Sequence, residues 1–469
     1  MTRRRDRLAA LAAATVLAGC SMAPAYQRPE PAIPPSWPAG AAELRADEAA
    51  LPTLTYRAMF ADPALLAIID QALANNQDLR RAVANVAAAR ATARVADARL
   101  LPQVDVSGRG SVGESGDTIS KAYTLNGGLS GFEVDLFGRL GSLSAAAFND
   151  YLGTEAALRA ARLSLVAEVA VTYLTLAADR SLLTIAAETE ASAARSVELT
   201  RARLEGGVAP RTALRQAETV LAQARSDRAQ LTAQVAQDRA ALELLVGAPV
   251  ADAALPAAIE AVEGQLAAVP AGLDSRILLR RPDVVQAEYG LRAANARIGA
   301  ARAAFFPTIS LTAVAGLASG ALSALFTGDA FNWQVAPQAT LPIFDGGANR
   351  GNLAYAKAQR DAAVAQYQKT IQTAFSDVVS ALARRATIDE QLAADIRRQE
   401  AAADTLTLTT ARYEQGIDGY LALLDAQRTL YQARRTVAAT RLTRAANLVA
   451  VYRALGGDQL VDTAAPAGD

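Results

Sequence analysis

Residues 305–317 read FFPTISLTAVAGL, and the hydropathy pattern of the chain changes at Pro307. Before this proline the apolar residues follow a helical period, and proline disfavours the helical conformation of the residue that precedes it. After the proline, apolar and polar side chains alternate, and the alternation resumes at 331–343 after a polar, glycine-bearing loop at 319–329. The pattern predicts two strands, each with one apolar and one polar face.

The same arrangement occurs about two hundred residues earlier in the chain. Residues 78–104 resemble residues 283–309, with a predicted helix that ends at a proline in both copies. Further along, RLEGGV at 203–208 recurs as RYEQGI at 412–417. A tandem duplication of this length predicts two pseudo-symmetric halves packed around a common axis.

The first copy adds two weaker alternating runs, at 104–109 and 132–136, around a predicted loop at 113–121. Four amphipathic strands cannot close a transmembrane barrel, because the smallest known barrels have eight strands. The chain is therefore predicted to oligomerise. The strand count alone leaves open two chains with eight strands or three chains with twelve.

Long helices account for most of the remaining sequence. From Gly141 to about Leu204 nothing interrupts the helical pattern, and roughly sixty residues at 1.5 Å each make a rod of about 90 Å. The helix that follows repeats apolar residues every seven positions, as coiled coils do. A soluble four-helix bundle would explain these heptads but not the strand pairs. Beyond the start of the chain, no eighteen-residue apolar stretch predicts a membrane-spanning helix.

The start of the chain predicts export. Residues 1–19 combine four arginines with a short apolar run and are predicted to be a signal peptide. They lead into LAGC at 17–20, which resembles a lipobox that would make Cys20, the sole cysteine, the lipid-carrying N-terminus. The alternative is an ordinary signal peptide with an incidental cysteine.

The sequence divides after the signal peptide into four further parts. Several prolines in the first of these favour an extended, lipid-anchored tether. The predicted parts are the tether at 20–60, repeat one at 61–265, repeat two at 266–457, and a C-terminal tail at 458–469.

Composition excludes several classes of function. Lysine plus arginine and aspartate plus glutamate both number 47, so no basic excess indicates a nucleic-acid partner. The chain has no histidine, which removes histidine-based metal sites and catalytic triads. The glycine-rich run at 346–351 lacks the Lys-Ser/Thr pair of a phosphate loop. We predict no enzyme, no cofactor and no metal.

Two glycine turns are the first candidate functional sites. Glycine ends a helix by adopting positive φ, so Gly207 and Gly416 predict the tips of two helical hairpins. Charged residues beside these turns are candidates for contact with a partner protein, namely Arg203, Glu205, Arg412 and Glu414. The alternative is that they are solvated charges at helix ends.

Asp425 follows the second turn by only a few residues. Repeated by symmetry, it would form a ring of carboxylates near the tip, and such rings at constrictions favour cations and hold gates. The alternative is a surface aspartate paired with Arg428 or another arginine.

Several motifs together resemble the outer membrane factor family of TolC/OprM-like channels, in particular its NodT-like efflux lipoproteins. They are LAGC (17–20), FEVDLFGR (132–139), LRRPDV (279–284), FFP (305–307), LPIFDGG (341–347) and YLALLDAQR (420–428). The resemblance implies a mainly α fold with a β-barrel portion. In that fold, three chains form a long coiled-coil α-barrel, and four strands per chain complete a twelve-stranded barrel.

The resemblance also implies a passive trimeric duct in the outer membrane, anchored by lipid and extending into the periplasm. Its implied partners are a periplasmic adaptor (a membrane fusion protein) and an inner-membrane transporter, commonly of the resistance-nodulation-division class. An aspartate matching Asp425 lines the closed periplasmic aperture in similar channels, although Ala422 stands where some members have a second aspartate. A type I protein-secretion conduit and a structural lipoprotein without a pore are the alternatives.

Overall fold

The computed structural model describes residues 22–34, 55–116, 118–267 and 275–457. The predicted signal peptide, Cys20 and the predicted tail at 458–469 lie outside these residues. The helices are α1 (Tyr56–Met59), α2 (Pro63–Asn75), α3 (Gln77–Ala98), α4 (Arg139–Glu205), α5 (Arg211–Val246), α6 (Ile259–Val262), α7 (Pro282–Ala303), α8 (Ala348–Glu414) and α9 (Tyr420–Ala454). The strands are β1 (Val104–Ser115), β2 (Thr118–Val134), β3 (Thr308–Ser319) and β4 (Phe331–Thr340).

The chain packs as two compact units, and each unit draws on both sequence repeats. The first contains Ala84–Ala156 and Val285–Lys369, with the N-terminal segment up to Pro31. The second contains Ala32–Val83, Ala157–Val284 and the chain from Thr370 onwards. A single repeat is therefore not a separately packed body, and its boundaries stay a prediction.

The first unit contains one antiparallel sheet with the strand order β1-β2-β3-β4. The predicted loop at 113–121 is wrong, because β1 continues to Ser115 and β2 begins at Thr118. Gly116, with φ of 60°, allows this tight reversal. The loop was expected because the segment is polar, but polar side chains also belong on the wet face of a strand.

The long helices end and begin as the glycine pattern predicts. Gly207 and Gly416 adopt φ of 74° and 77° after α4 and α8, each of which has 67 residues. At the start of α8, the carboxylate of Asp345 accepts backbone hydrogen bonds from Gly347 and Asn349 at 2.9 and 2.8 Å. Those bonds satisfy free N–H groups of the first turn and hold the pKa of Asp345 below its usual range.

The expectation that no helix after the predicted signal peptide is apolar enough to cross a membrane is wrong on composition. Within α4, one 18-residue stretch passes that test of length and hydropathy. However, 56% of the stretch is buried inside the protein. In the second unit, Val169, Leu174 and Leu176 of this helix are completely buried. The apolar character of α4 therefore serves the protein core.

Residues 22–31 form an extended strap along α7 in the first unit. Arg28 makes two hydrogen bonds to the buried carboxylate of Glu288, at 3.1 and 2.6 Å, and Tyr26 adds a third at 3.2 Å. Arg302 donates to the carbonyl of Met22 at 3.1 Å. The two arginines beside Glu288, Arg28 and Arg292, keep its pKa below the usual range despite burial, which alone would raise it. The strap is thus held by charge-assisted hydrogen bonds.

Candidate functional site

One face of the sheet is apolar from edge to edge. Residues in register across the four strands form rows perpendicular to them, and three rows on this face contain only apolar residues, glycine included. They are Val104-Leu129-Ala313-Val335, Val106-Gly127-Ala315-Trp333 and Gly108-Leu125-Leu317-Phe331. Val104, Val106 and Trp333 are each at least 70% exposed. An exposed apolar surface of this extent indicates contact with lipid or with another protein.

The opposite face of the sheet is polar. Its central rows are Asp105-Gly128-Val314-Gln334 and Ser107-Asn126-Gly316-Asn332. A bulge between Leu129 and Phe132, where Gly131 has φ of 67°, shifts the register so that Phe132 and Val134 rejoin the apolar face. One face is therefore suited to lipid and the other to water, as in the wall of a transmembrane β-barrel.

The apolar face has the height that a membrane requires. On β3 it extends from Ile309 to Leu317, which is about 27 Å along the strand at roughly 3.4 Å per residue. At a strand tilt of about 45° this corresponds to about 20 Å, close to the roughly 25 Å apolar band of transmembrane barrels. The sheet therefore matches the apolar core of a bilayer.

Among the described residues, the outermost strands, β1 and β4, each pair on one side only. The row that starts at Val104, the first residue of β1, reaches β4 at Val335, five residues before the strand ends at Thr340. The sheet is therefore staggered, and barrel closure requires such a stagger. The two open edges of such a sheet must pair with further strands before the sheet can be stable in a membrane.

The second unit contains the two glycine turns, which pack against each other through their helices. Buried side chains from α4, α5, α8 and α9 form one apolar cluster beside the turns: Val197, Ala213, Leu214, Ala217, Tyr413, Tyr420 and Leu423. The rings of Tyr413 and Tyr420 meet edge to face, with centroids 5.8 Å apart. Burial, together with the neighbouring Tyr413, raises the pKa of Tyr420 to about 12. The two hairpins thus form one joint tip.

Polar contacts also connect the two hairpins at this tip. The Arg203 guanidinium on α4 donates to the Tyr413 carbonyl and lies over the Tyr413 ring, 4.6 Å from its centroid. The hydroxyls of Thr200 and Tyr413 form a buried hydrogen bond of 3.1 Å. Both contacts cross from the first repeat to the second, over more than two hundred residues of sequence.

The predicted tip residues fall into three groups. Arg203 contacts Tyr413 inside the tip. Arg412 forms an ion pair with Asp418 through two hydrogen bonds, of 2.6 and 3.0 Å, and this ion pair lowers the pKa of Asp418. Glu205 and Glu414 are exposed. Within the described part of the chain, neither glutamate forms an ion pair or a side-chain hydrogen bond. Those two glutamates remain available to a partner, whereas the arginines already have partners within the chain.

Asp425 is exposed on the second turn of α9. Across the described ranges it has no ion pair, either with Arg428 or with another arginine. The structure thus does not support the alternative that Asp425 is a paired surface residue. The described residues contain no cluster of three or more His, Cys, Asp or Glu side chains that could hold a metal ion.

Sequence reasoning missed a carboxyl pair in the second unit. Asp179 on α4 lies beside Asp238 on α5, and burial, followed by the neighbouring carboxyl group, raises the pKa of Asp179 to about 7. Asp238 is only 8% exposed, and its Oδ2 has no hydrogen-bond donor among the described groups. The proton of a neutral Asp179 can serve as that donor. Heptad spacing could not have identified the pair, because the two residues lie on different helices.

This pair predicts a pH-dependent stability. Unfolded Asp has a pKa near about 3.9, so between pH ~4 and pH ~7 the folded chain keeps a proton that the unfolded chain releases. Stability therefore falls as pH rises through this window and levels off above it. We expect Asp179→Asn, which keeps a donor toward Asp238, to unfold at a higher temperature than the parent at pH 8 and to match it at pH 4.

Thermal unfolding at the two pH values measures this effect. Asp404→Asn, at an exposed position on α8, is the matched control and should leave the pH dependence unchanged. An Asp179→Asn variant as sensitive to pH in this window as the parent would contradict the raised pKa of Asp179.

A staggered sheet with one apolar face, one polar face and open edges, continuous with helices of 67 residues, defines a subunit of a membrane channel. The sequence model described as outer membrane efflux protein matches residues 68–248 and 273–457, and the chain belongs to this family.

Curated relatives agree with this family. The chain is 44% identical over 457 residues to the probable efflux pump outer membrane protein TtgC of Pseudomonas putida, covering 95% of this chain and 94% of the relative. It is 39% identical over 459 residues to the outer membrane protein OprJ of Pseudomonas aeruginosa, covering 96% and 95%. The predicted role as an outer-membrane component of an efflux system is confirmed, as is the outer-membrane location.

Solved structures agree on the fold. The open-state MtrE outer membrane channel of Neisseria gonorrhoeae superposes with a TM-score of 0.84 at 35% identity, covering 94% of this chain and 99% of that one. CusC, described as forming a transmembrane channel, gives 0.84 at 37%, covering 93% and 100%. The predicted TolC-like fold, mostly helical with four strands per chain, is confirmed. The family and its structural neighbours are channels rather than enzymes.

Proposed function

We propose that three copies of this chain close a twelve-stranded barrel in the outer membrane and form a passive exit duct for small molecules. The unpaired edges of β1 and β4 support closure by further copies. An eight-stranded barrel from two copies would be filled by its own side chains, whereas a larger barrel leaves a passage. Three copies therefore suit a channel better than two.

The duct would receive its substrates from an inner-membrane transporter through a periplasmic adaptor. The joint tip, with its exposed Glu205 and Glu414, is the proposed adaptor contact. The relatives compared above are named as an efflux pump protein and an outer membrane protein, which supports efflux over protein secretion. Chemical crosslinking in native cells, followed by co-purification, should recover an adaptor with the parent and less of it with a Glu205→Lys, Glu414→Lys double variant.

Lipid attachment at Cys20 is the proposed anchor of the chain. Cys20 lies outside the described residues, but Met22, two positions further on, is held by Arg302 near the end of α7. β3 begins six residues after Arg302. This short separation supports an anchor beside the membrane. The intact mass of the purified mature protein tests the proposal, because Cys20→Ser should lose the mass of the acyl chains. A parent of unmodified polypeptide mass would contradict it.

Asp425 is the proposed gate residue at the periplasmic tip. Three copies would place three exposed carboxylates near the aperture, where they bind cations and impede flow. We expect Asp425→Ala to raise the conductance of the reconstituted protein in planar bilayers. We also expect the concentration of a divalent cation needed for half-block to rise about tenfold, equivalent to about 1.4 kcal/mol.

Asp404→Ala is the matched control, because it removes an exposed aspartate from α8 without touching α9. Single-channel records of Asp425→Ala that coincide with those of the parent would remove Asp425 from the gate. Absence of any conductance from the correctly inserted parent would contradict the channel itself.

A further inference from the structure

The polar face of the sheet carries few charges. The four strands contain five charged residues in all: Asp105, Arg109, Glu114, Lys121 and Glu133. Alternation along the β1–β2 hairpin places Glu114 and Lys121 on the apolar face, near the turn. Asp105, Arg109 and Glu133 lie on the polar face, which would line the passage of a closed barrel.

One of these three charges is already neutralised within the chain. Glu133 accepts two hydrogen bonds from Arg139, at 2.8 and 2.5 Å, where β2 leads into α4. Asp105 and Arg109 are exposed, and within the described residues neither has an ion pair or a side-chain hydrogen bond. They cannot pair with each other, because four residues along one strand separate them by about 14 Å at ~3.4 Å per residue.

No neighbouring strand supplies a counter-charge to Arg109. Thr124 of β2 lies opposite Arg109, and Ala318 of β3 continues the same row. On β1 itself, Ser107 and Ser111 are the flanking residues of the polar face. On the other side of β1, a closing copy would contribute β4, whose ten residues include no charged side chain. The strands therefore leave the guanidinium unpaired in whatever register two copies pair.

Three copies would arrange these residues in two rings. All four connections between strands and helices lie at one end of the sheet, and β1 begins at that end. The ring of Asp105 therefore lies toward the helices and the ring of Arg109 toward the outer mouth. Twelve strands about 4.8 Å apart and tilted by about 40° enclose a barrel roughly 24 Å across between backbones. A guanidinium projecting inward from this wall lies within about 10 Å of the axis, which is the screening length at ~0.1 M salt.

We propose that Arg109 is a charge-selecting residue of the duct, with three guanidinium groups that favour small anions in the outer part of the passage. Rings of arginine or lysine select anions in pores, and rings of carboxylates select cations. Three charges about 10 Å away, screened over about 10 Å of water, enrich a monovalent anion on the axis roughly twofold and deplete a cation by a similar factor. An anionic substrate therefore passes the outer part of the duct more readily than a cationic one of the same size. The proposal rests on the proposed closure by three copies.

Reversal potentials of the reconstituted channel in a KCl gradient, kept at or below about 0.1 M, test this proposal. Every variant would also carry Asp425→Ala, so that carboxylates at the tip do not determine the ion preference. We expect Arg109→Glu to lower the permeability ratio of chloride to potassium at least about fourfold, because repulsion of the anion replaces attraction. Asp105→Asn should raise this ratio. Arg109→Lys should keep it close to that of the Asp425→Ala parent, since lysine retains the charge.

Lys121→Glu is the matched control, because it makes the same change of charge on the same hairpin but on the apolar face. Its permeability ratio should equal that of the Asp425→Ala parent. If a reversed charge prevents insertion, Arg109→Gln and Lys121→Gln give the same comparison with a smaller shift. An unchanged ratio in the Arg109 variant, or an equal shift in the Lys121 variant, would overturn the proposal while the conducting parent leaves the proposed duct in place. A correctly inserted parent without conductance would overturn both.

Discussion

Replacing Ala313 by arginine should abolish most insertion of the protein into the outer membrane. Ala313 lies at the centre of the apolar stretch of β3, in register with Leu129 and Val335. An arginine facing lipid at the middle of a transmembrane barrel costs about 2–4 kcal/mol, and every copy in the proposed trimer would carry it. We expect the membrane-embedded fraction to fall at least roughly thirtyfold, the equivalent of about 2 kcal/mol.

Val314→Arg is the control, placed one residue further along the same strand. Val314 lies on the polar face, in register with Gly128 and Gln334, and its replacement should insert normally because the guanidinium would face water. Fractionation of outer membranes, with resistance of the assembled species to unfolding in detergent, measures both variants. Equal insertion of the two would show that the assignment of lipid and water faces is wrong.

Removing the Arg203 side chain should open the periplasmic tip. The hydrogen bond from Arg203 to the Tyr413 carbonyl is charge-assisted, which is worth about 1.5–3 kcal/mol, and the stacking over the Tyr413 ring adds about 0.5–2 kcal/mol. We propose that this contact belongs to the closed tip. Closed and open tips are two states of one equilibrium, so loss of a contact made only in the closed state shifts the population toward the open one. We expect Arg203→Ala to raise the open probability at least roughly thirtyfold, the equivalent of about 2 kcal/mol.

Single-channel recording of the reconstituted protein measures this change. Arg211→Ala is the control, because Arg211 begins α5 at the same tip, and the structure shows no ion pair for it among the described residues. Tyr413→Phe removes only the hydroxyl that meets Thr200 and should have a smaller effect than Arg203→Ala. An Arg203→Ala channel that stays as closed as the parent, with unchanged thermal stability, would show that this contact does not hold the tip shut.

Hydropathy periods predicted most of the elements of this fold. The changes of period at Pro307 and Pro102 placed the starts of β3 and β1, and the next alternating run of repeat two placed β4, because alternation along a strand is a local property of the sequence. The prediction for β2 was largely wrong, since the run at 132–136 overlaps only the end of the strand Thr118–Val134. Uninterrupted helical pattern and positive-φ glycines placed the ends of α4 and α8 within about two residues. The prediction of a loop at 113–121 was wrong because it used the same local polarity that predicted the strands. The polar face of a strand and a polar loop have similar composition.

The sequence predicted only part of the candidate site. The charges at the two turns were chosen as candidates from their positions beside glycines, and Asp425 from its place a few residues after the second turn together with the family resemblance. That Arg203 is engaged by Tyr413 while Glu205 is free depends on how the two hairpins pack. The raised pKa of Asp179 beside Asp238 depends on the same packing of helices and on the burial that results from it.

The sequence by itself determined the two hydropathy periods and the glycine turns, because each of these is written within a few tens of neighbouring residues. It also determined the tandem duplication, which follows from comparing the chain with itself. Only the tertiary structure decided which copy of a duplicated helix is covered by the strap, which charges are paired, and which strands remain at the edge. These depend on contacts between residues about two hundred or more positions apart in the sequence. Such contacts follow from the mutual burial of whole elements, and no local pattern records them.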